Sequence, residues 1–244
     1  MEKISNWITT AMLIAIATFG MSCSENDDIP GQGDGKLGFA LLIKNDVTTN
    51  SNARILDNRL TIEDGFIQVK ELELEMEGRN ENGRFEKEIE IKFRDIKKVS
   101  LDRFNPEVDF FINIPEGEYE EIEVELDLID YRNEPSIFLA GSFIKADESI
   151  VPLRFEHFGD DIDFEVELEA KNGGYFTVDR INNPLALLEI NVLNWFGQIS
   201  EIELENALLT NGILIISNNQ NRELYRKIRD RIEASSEIEI ELRN

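Results

Sequence analysis

"ELELEMEGRNENGRFEKEIEIKF", residues 71–93, is the stretch that decides the fold class. Residues 71–78 and 85–93 alternate apolar and charged side chains, and this period of two places the apolar ones on one face of a β-strand. Between them, Asn82 and Gly83 form a pair favoured in tight turns because both tolerate positive φ. The stretch therefore predicts a two-stranded hairpin with one buried face and one solvated face.

The same alternation recurs along the chain from Leu37 onward. It predicts strands at 121–128, 161–170 and 237–242 from long regular runs, and at 38–44, 65–70, 109–114, 137–145 and 151–155 from shorter ones. Strands with one solvated face favour antiparallel sheets, so we expect an all-β sandwich, built as one large unit or as two tandem units. Glutamates on the solvated faces and edges oppose pairing with other chains.

One segment near the C-terminus has helical periodicity instead. Ser217 and Gln220 have the spacing of a capping box. The residues that follow place an apolar stripe on one face at four-residue spacing: Leu224, Ile228 and Ile232. The pattern predicts an amphipathic helix at about 218–234.

The composition is strongly acidic. Fifty Asp and Glu residues against 25 Lys and Arg give a formal net charge of −25. Such a surface repels nucleic acid and anionic lipid headgroups, whereas cationic partners and divalent metal ions are electrostatically compatible with it. The plainer interpretation is that the charge keeps the protein soluble. No glycine-rich loop has the phosphate-binding pattern, and we predict no cofactor.

The N-terminal segment has the layout of a secretory signal. Lys3 precedes an apolar run of about 15 residues, from Trp7 to Met21, which is shorter than the roughly 20 that a membrane-spanning helix requires. Cys23 follows, and as the only cysteine it has no partner for an internal disulfide. We therefore predict a signal peptide over residues 1–22 and a lipid attached to Cys23.

This arrangement resembles bacterial lipoproteins. Gly20, Met21 and Ser22 occupy the three positions before Cys23, with Gly20 where those proteins usually have leucine. The acidic run at 24–28 resembles the export signal of surface lipoproteins of the Bacteroidota group. The resemblance implies an outer-membrane lipoprotein exposed at the cell surface, with the periplasmic face as the alternative. Residues 23–36 are predicted to be a lipidated, flexible acidic tether.

A turn in the middle of the chain carries a second resemblance. Pro115, Gly117 and Tyr119 form a Pro-x-Gly-x-Tyr turn between predicted strands, preceded by "GFIQVKELELEMEG" at 65–78. It is similar to a domain of unknown function in bacterial surface lipoproteins, itself like the transthyretin and carboxypeptidase-regulatory β-sandwiches. The resemblance covers about residues 37–130 and implies a fold and a location but no catalytic residues.

The predicted organisation follows from these patterns. A first β-sandwich unit is expected at 37–131 and a second β-rich unit with the helix at 132–244, or one domain containing both.

Two groups of residues are candidate ligand sites. Asp160, Asp161 and Asp163 are clustered oxygen ligands of the kind that Ca²⁺ prefers, but they lack the spacing of an EF-hand, and we favour a solvated β-turn over a metal site. His157, the only histidine, is interpreted as a structural or surface residue.

The second group is the aromatic pair Trp195 and Phe196. These two rings would suit stacking on a sugar or on a partner, but their apolar neighbours favour packing in the core.

We therefore predict a non-enzymatic, lipid-anchored cell-envelope protein that serves as a surface binding or interaction module for a glycan or another envelope protein. Two alternatives stay open at this point: an extracellular polysaccharide hydrolase that uses paired carboxylates, and a purely structural envelope component.

Overall fold

The structure is a computed structural model that describes residues 27–29, 33–45, 59–101 and 107–242. Its strands are β1 Asp27–Ile29, β2 Gly35–Lys44, β3 Leu60–Asn80, β4 Gly83–Ser100, β5 Glu107–Ile114, β6 Gly117–Leu128, β7 Ile137–Ile144, β8 Ile150–His157, β9 Phe164–Ala170, β10 Phe176–Val178, β11 Leu185–Asn191, β12 Leu209–Thr210, β13 Ile213–Ser217 and β14 Glu237–Leu242. The helices are α1 Val192–Trp195, α2 Glu201–Glu205 and α3 Arg222–Glu233, with a short 3₁₀ turn at Lys171–Gly173.

The predicted all-β fold class is confirmed. Among the described residues, strands predominate and helices are few. The smaller sheet has the strand order β1-β5-β2-β11, and the larger has β12-β13-β8-β7-β3-β6-β9-β14, with β4 paired to β3 and β10 paired to β6. The sheets form two layers, with β2 against β4 and β10, and β11 against β9. Both sheets contain strands from either side of residue 131.

Four strand pairs are parallel within this largely antiparallel fold. They are β1 with β5, β11 with β2, β13 with β8, and β14 with β9. A parallel pair needs a long crossover connection, and the chain between β9 and β14 contains all three helices. Alternation along one strand does not report the direction of its neighbour, so these pairs could not be predicted from it.

Strand β3 is long enough to pair with two strands along one edge. Residues Leu60 to Ile67 pair with β7, and residues Val69 to Arg79 pair with β6. Strand β4 pairs with the opposite edge of β3. Gln68 lies between these two parts: its N–H donates to Ser136 O (2.8 Å), its carbonyl accepts from Ile129 N–H (3.1 Å) and its side chain donates to Pro135 O (2.8 Å). The predicted strands 65–70 and 71–78 are therefore one continuous strand with a bulge.

The predicted hairpin forms, but its turn is shifted by one residue. Asn80 pairs with Gly83, so the loop residues are Glu81 and Asn82. Gly83 has a φ of 116°, whereas Asn82 is not among the residues with positive φ. The Asn80 side chain instead accepts a hydrogen bond from the Asn82 N–H (2.8 Å), which fixes the turn.

The predicted C-terminal helix also forms, but its start was wrong. Ser217 is the last residue of β13 and forms a bridge with Gln220, so the expected capping box is absent there. Helix α3 begins at Arg222 after Asn221, which has a φ of 50°. A capping box does occur at α2, where Ser200 and Glu203 hydrogen bond reciprocally.

The Pro-x-Gly-x-Tyr turn is held by a tyrosine. Tyr119 is fully buried, and its hydroxyl donates to the carbonyl of Pro115. Its ring packs edge-on against Phe85 and is stacked on Phe176. This bond, reaching back four residues, joins the turn to the start of β6 in the manner of a tyrosine corner.

The helices of the described ranges are all too short or too polar to cross a lipid bilayer. Cys23 and residues 24–26 and 30–32 of the predicted tether lie outside the described residues. Of the rest of the predicted tether, Asp27–Ile29 forms β1, and Gly35 and Lys36 begin β2.

Candidate interaction face

Glutamates form rows across one half of the larger sheet. The strands β4, β3, β6, β9 and β14 are successive neighbours, and their register places glutamates directly opposite one another. The middle row is Glu88, Glu75, Glu123, Glu167 and Glu239, and the flanking rows are Glu90, Glu73, Glu125, Glu165 and Glu237, and Glu86, Glu77, Glu121, Glu169 and Glu241. We call these three rows the glutamate face. With neighbouring strands about 4.8 Å apart, each row is about 19 Å long.

The other side of the same strands builds the core. Between the glutamates lie fully buried apolar residues: Leu72, Leu74, Met76, Ile122, Val124, Leu126, Val166 and Leu168. Their burial fixes the register, because a slip of one residue would bury the charged rows. The glutamate face is therefore a rigid surface whose spacing is set by the hydrophobic core.

Burial, hydrogen bonding between carboxyl groups and neighbouring negative charges raise the pKa of two glutamates on this face. Burial, followed by the charges of Glu165 and Glu75, raises the pKa of Glu123 to about 7. A hydrogen bond to Glu88, followed by burial, raises the pKa of Glu73 to about 7. A bound cation would favour the ionised form of both groups.

A lysine offsets the charge at one margin of the face. Lys92 Nζ lies 3.1 Å from Glu71 Oε1 and also forms an ion pair with Glu90. Glu71 is buried, and its burial raises its pKa even though Lys92 acts in the opposite direction. Lys92 therefore neutralises charge at the end of one flanking row rather than at the centre of the face.

Three groups of acids on or beside the face bring carboxylate oxygens within 4.8 Å of one another. They are Glu73 with Glu75 and Glu88, Glu121 with Glu167 and Glu169, and Glu125 with Asp127 and Asp163. Oxygen ligands in such groups suit hard divalent cations such as Ca²⁺.

The aspartates that the sequence suggested as one calcium site have three different neighbours. Asp160 forms an ion pair with Lys70 (3.2 Å), and Asp161 lies 3.6 Å from Arg229. Asp163 alone joins one of the acidic groups, and its pKa is raised by burial and then by Asp127. The three side chains therefore do not converge on one point, because residues 161–163 form a loop before β9 rather than part of the strand.

His157 lies in the interior, not at the surface. It is fully buried at the end of β8; its Nδ1 is 2.8 Å from the Tyr225 hydroxyl and its Nε2 is 3.2 Å from Asp161 Oδ1. Burial lowers its pKa, while the charge of Asp161 raises it. These contacts join β8 to helix α3.

The aromatic pair suggested as a ligand platform is also buried. Trp195 is 2% exposed and stacks against Phe164, and Phe196 is fully buried with its ring edge-on to Phe155. Neither ring offers a face to solvent.

A groove at the hairpin end was not anticipated from the sequence. It consists of two adjoining cavities that share Phe85 and Glu86. The first, of about 310 Å³, is lined by Glu77, Gly78, Arg84, Phe85, Glu86 and Glu120, and the second, of about 250 Å³, by Asn80, Phe85, Glu86, Lys87 and Pro115. Glu120 is the extra residue of a β-bulge in β6, and bulges re-aim side chains. The sequence feature that could have indicated the groove is Phe85, an aromatic residue at the start of the alternating run 85–93, which is only half-buried in the structure.

Comparison with known proteins gives no match to this chain, whether among protein-family models, curated proteins or solved structures.

Proposed function

We propose that this protein is a non-enzymatic interaction module of the cell envelope, anchored to the outer membrane by a lipid on Cys23. It binds a positively charged partner through the glutamate face. The observation that carries this proposal is the alignment of three glutamate rows across five strands. Like charges directly opposed across strands cost stability, and a cationic partner would offset that cost.

The arrangement of the carboxylates favours binding over hydrolysis. A glycosidase positions two carboxyl groups on either side of one bond inside a cleft. The rows repeat at regular intervals on a solvated sheet, which suits a partner that carries several positive charges. Complementary charge of this kind speeds association and selects the partner.

Binding is tested on the full chain with Cys23→Ser, which removes the predicted anchor. Calorimetry measures the heat of binding of polylysine, of dextran as a neutral polymer, and of Ca²⁺ alone. We expect polylysine to bind and dextran not to bind. Equal binding of both polymers, or binding of neither, would overturn the proposal.

Two variants with equal net charge locate the surface. The first neutralises the middle row by Glu75→Gln, Glu123→Gln and Glu167→Gln; the second neutralises three exposed acids outside the rows by Glu63→Gln, Glu134→Gln and Glu148→Gln. We expect a loss of polylysine affinity of about tenfold or more in the first variant and little change in the second. Equal losses would show that net charge alone drives the binding.

The anchor is tested separately by membrane fractionation of cells that express the natural chain or Cys23→Ser. We expect the natural chain in the membrane fraction and the variant in the soluble envelope fraction. Retention of Cys23→Ser in the membrane would contradict lipid attachment at this residue.

A further inference from the structure

We propose that the outer edge of β4 accepts an extended basic segment of the partner as an additional β-strand. This inference rests on the proposed function and specifies the form of the partner: a short stretch with Lys or Arg at every second position. The segment would continue the glutamate face by one strand.

The outer edge of β4 has no neighbouring strand in the part of the chain that the structure describes. Among the described strands, β4 pairs with β3 alone, with a continuous register from Asn80–Gly83 to Glu71–Lys92. A strand with one neighbour presents backbone N–H and C=O groups along its other edge, and extended peptides bind by pairing with them.

The regular edge is limited to about ten residues. After the Glu71–Lys92 pair, the next pair is Val69 with Lys97, so β4 has extra residues here relative to β3. Bulges of this kind end regular pairing at a sheet edge. The site therefore runs from Gly83 to Lys92, which is long enough for a bound segment of about seven residues.

The side chains along this edge select for basic residues. Glu86, Glu88 and Glu90 are exposed and lie at alternate positions on the solvated face. Residues of an added strand would stand about 4.5–5.5 Å from them, the distance at which opposite charges attract across a sheet. Lys92 and Arg94 follow immediately, so the basic run of the segment would end opposite Glu90.

The groove at the hairpin end lies across β4, β3 and β6, next to the residues that begin the same edge. Its two cavities share Phe85 and Glu86, the residues at the start of the regular edge. The first cavity combines the Phe85 ring with the carboxylates of Glu77 and Glu86, and an ammonium group is attracted to both aromatic rings and carboxylates. Glu120 also lines this cavity, but Arg84 lies 3.9 Å from it and offsets its charge. Strand addition takes its specificity from such pockets for alternate side chains.

Two synthetic peptides of equal charge separate strand addition from simple charge attraction. The first is acetyl-Thr-Lys-Val-Lys-Val-Lys-Thr-amide, and in the second proline replaces both valines, which removes two N–H groups and prevents regular pairing. Calorimetry is done with the full chain carrying Cys23→Ser. We expect the valine peptide to bind at least about tenfold more tightly.

Two charge reversals on the protein locate the binding. Glu88→Lys lies on β4, whereas Glu167→Lys makes the same change on the same row, three strands away on β9. We expect Glu88→Lys to weaken binding of the valine peptide by about tenfold or more and Glu167→Lys by about threefold or less. Glu86→Lys serves as a second edge variant, and thermal melting confirms that each variant is folded.

The outcomes distinguish the two proposals. Equal affinity for both peptides, or equal losses in the β4 and β9 variants, overturns strand addition and leaves the charged face as the binding surface. If neither peptide binds and polylysine does not bind either, both proposals fail.

Discussion

Glu123→Gln removes the central charge of the glutamate face. It tests whether repulsion between the carboxylates of the rows destabilises the folded protein. Glu123 lies on β6, directly opposite Glu75 on β3 and Glu167 on β9. Glutamine has nearly the same shape and keeps the hydrogen-bonding capacity. The substitution therefore changes charge while leaving the packing intact, and we expect a more stable protein above pH 7.

The expected gain follows from the two opposed pairs. Like charges directly opposite across a sheet destabilise by amounts similar to those by which opposite charges stabilise, about 0.2–1 kcal/mol for each pair. Removing both repulsions raises the free energy of unfolding by about 0.4–2 kcal/mol. In a protein of this size, 1 kcal/mol corresponds to a shift in Tm of about 2–4 °C.

The gain depends on pH in a defined direction. Burial and the charges of Glu165 and Glu75 raise the pKa of Glu123 from 4.5 to about 7 in the folded protein. Between these values the folded state binds more protons than the unfolded state, so the stability of the natural protein falls as pH rises through this window. The glutamine variant lacks this loss. The gain in stability of the variant over the natural protein is therefore absent below this pH window and complete above the folded pKa of Glu123.

Differential scanning calorimetry measures Tm at about pH 3.5 and about pH 8.5, on either side of the titration window. Glu134→Gln, in the exposed loop between β6 and β7, is the matched control because it makes the same change in net charge away from the rows. The reasoning is refuted if both variants gain equally at the higher pH. It is also refuted if Glu123→Gln gains as much at the lower pH.

Three further substitutions test other parts of the fold. Tyr119→Phe leaves the Pro115 carbonyl without its donor, and we expect urea unfolding to show a loss of about 1–3 kcal/mol; an unchanged midpoint would contradict this role. Gly141→Ala would place a Cβ 1.8 Å from the Thr61 carbonyl oxygen, so we expect a loss of about 3 kcal/mol or more, and a soluble variant of natural Tm would refute the close packing. His157→Gln removes a group whose pKa burial lowers below 6.5; the natural protein should lose stability as pH falls below 6.5, because the unfolded chain binds the extra proton, and the variant should lose less. An equal loss of stability below pH 6.5 in the natural protein and in His157→Gln would contradict this prediction.

Local patterns in the sequence were enough for the fold class and for most strands. Alternation over two residues and the four-residue spacing of Leu224 and Ile228 are properties of single segments, and core burial preserves them. The error at β3 has the same origin. Its alternation slips by one residue between Val69 and Glu71, where the strand bulges, and a local pattern shows such a slip as a break between two strands.

The candidate site depended on information that no single segment carries. Each Glu-x-Glu run was visible, but its starting positions share no interval, and only the register aligns Glu75, Glu123 and Glu167 into one row. The contact between His157 and Tyr225 joins residues 68 positions apart. Neither residue belongs to a motif, so their proximity follows from the packing of α3 against the sheet.

The single histidine also makes the molecule convenient for spectroscopy. Selective labelling of histidine would give one imidazole signal, and that signal would arise from a side chain in contact with both Tyr225 and Asp161. Because Tyr225 belongs to α3 and Asp161 to the loop before β9, the chemical shift of His157 would report how the helix is seated on the sheet. One resonance would thus report on the contact between α3 and the sheet while a partner is titrated onto the glutamate rows.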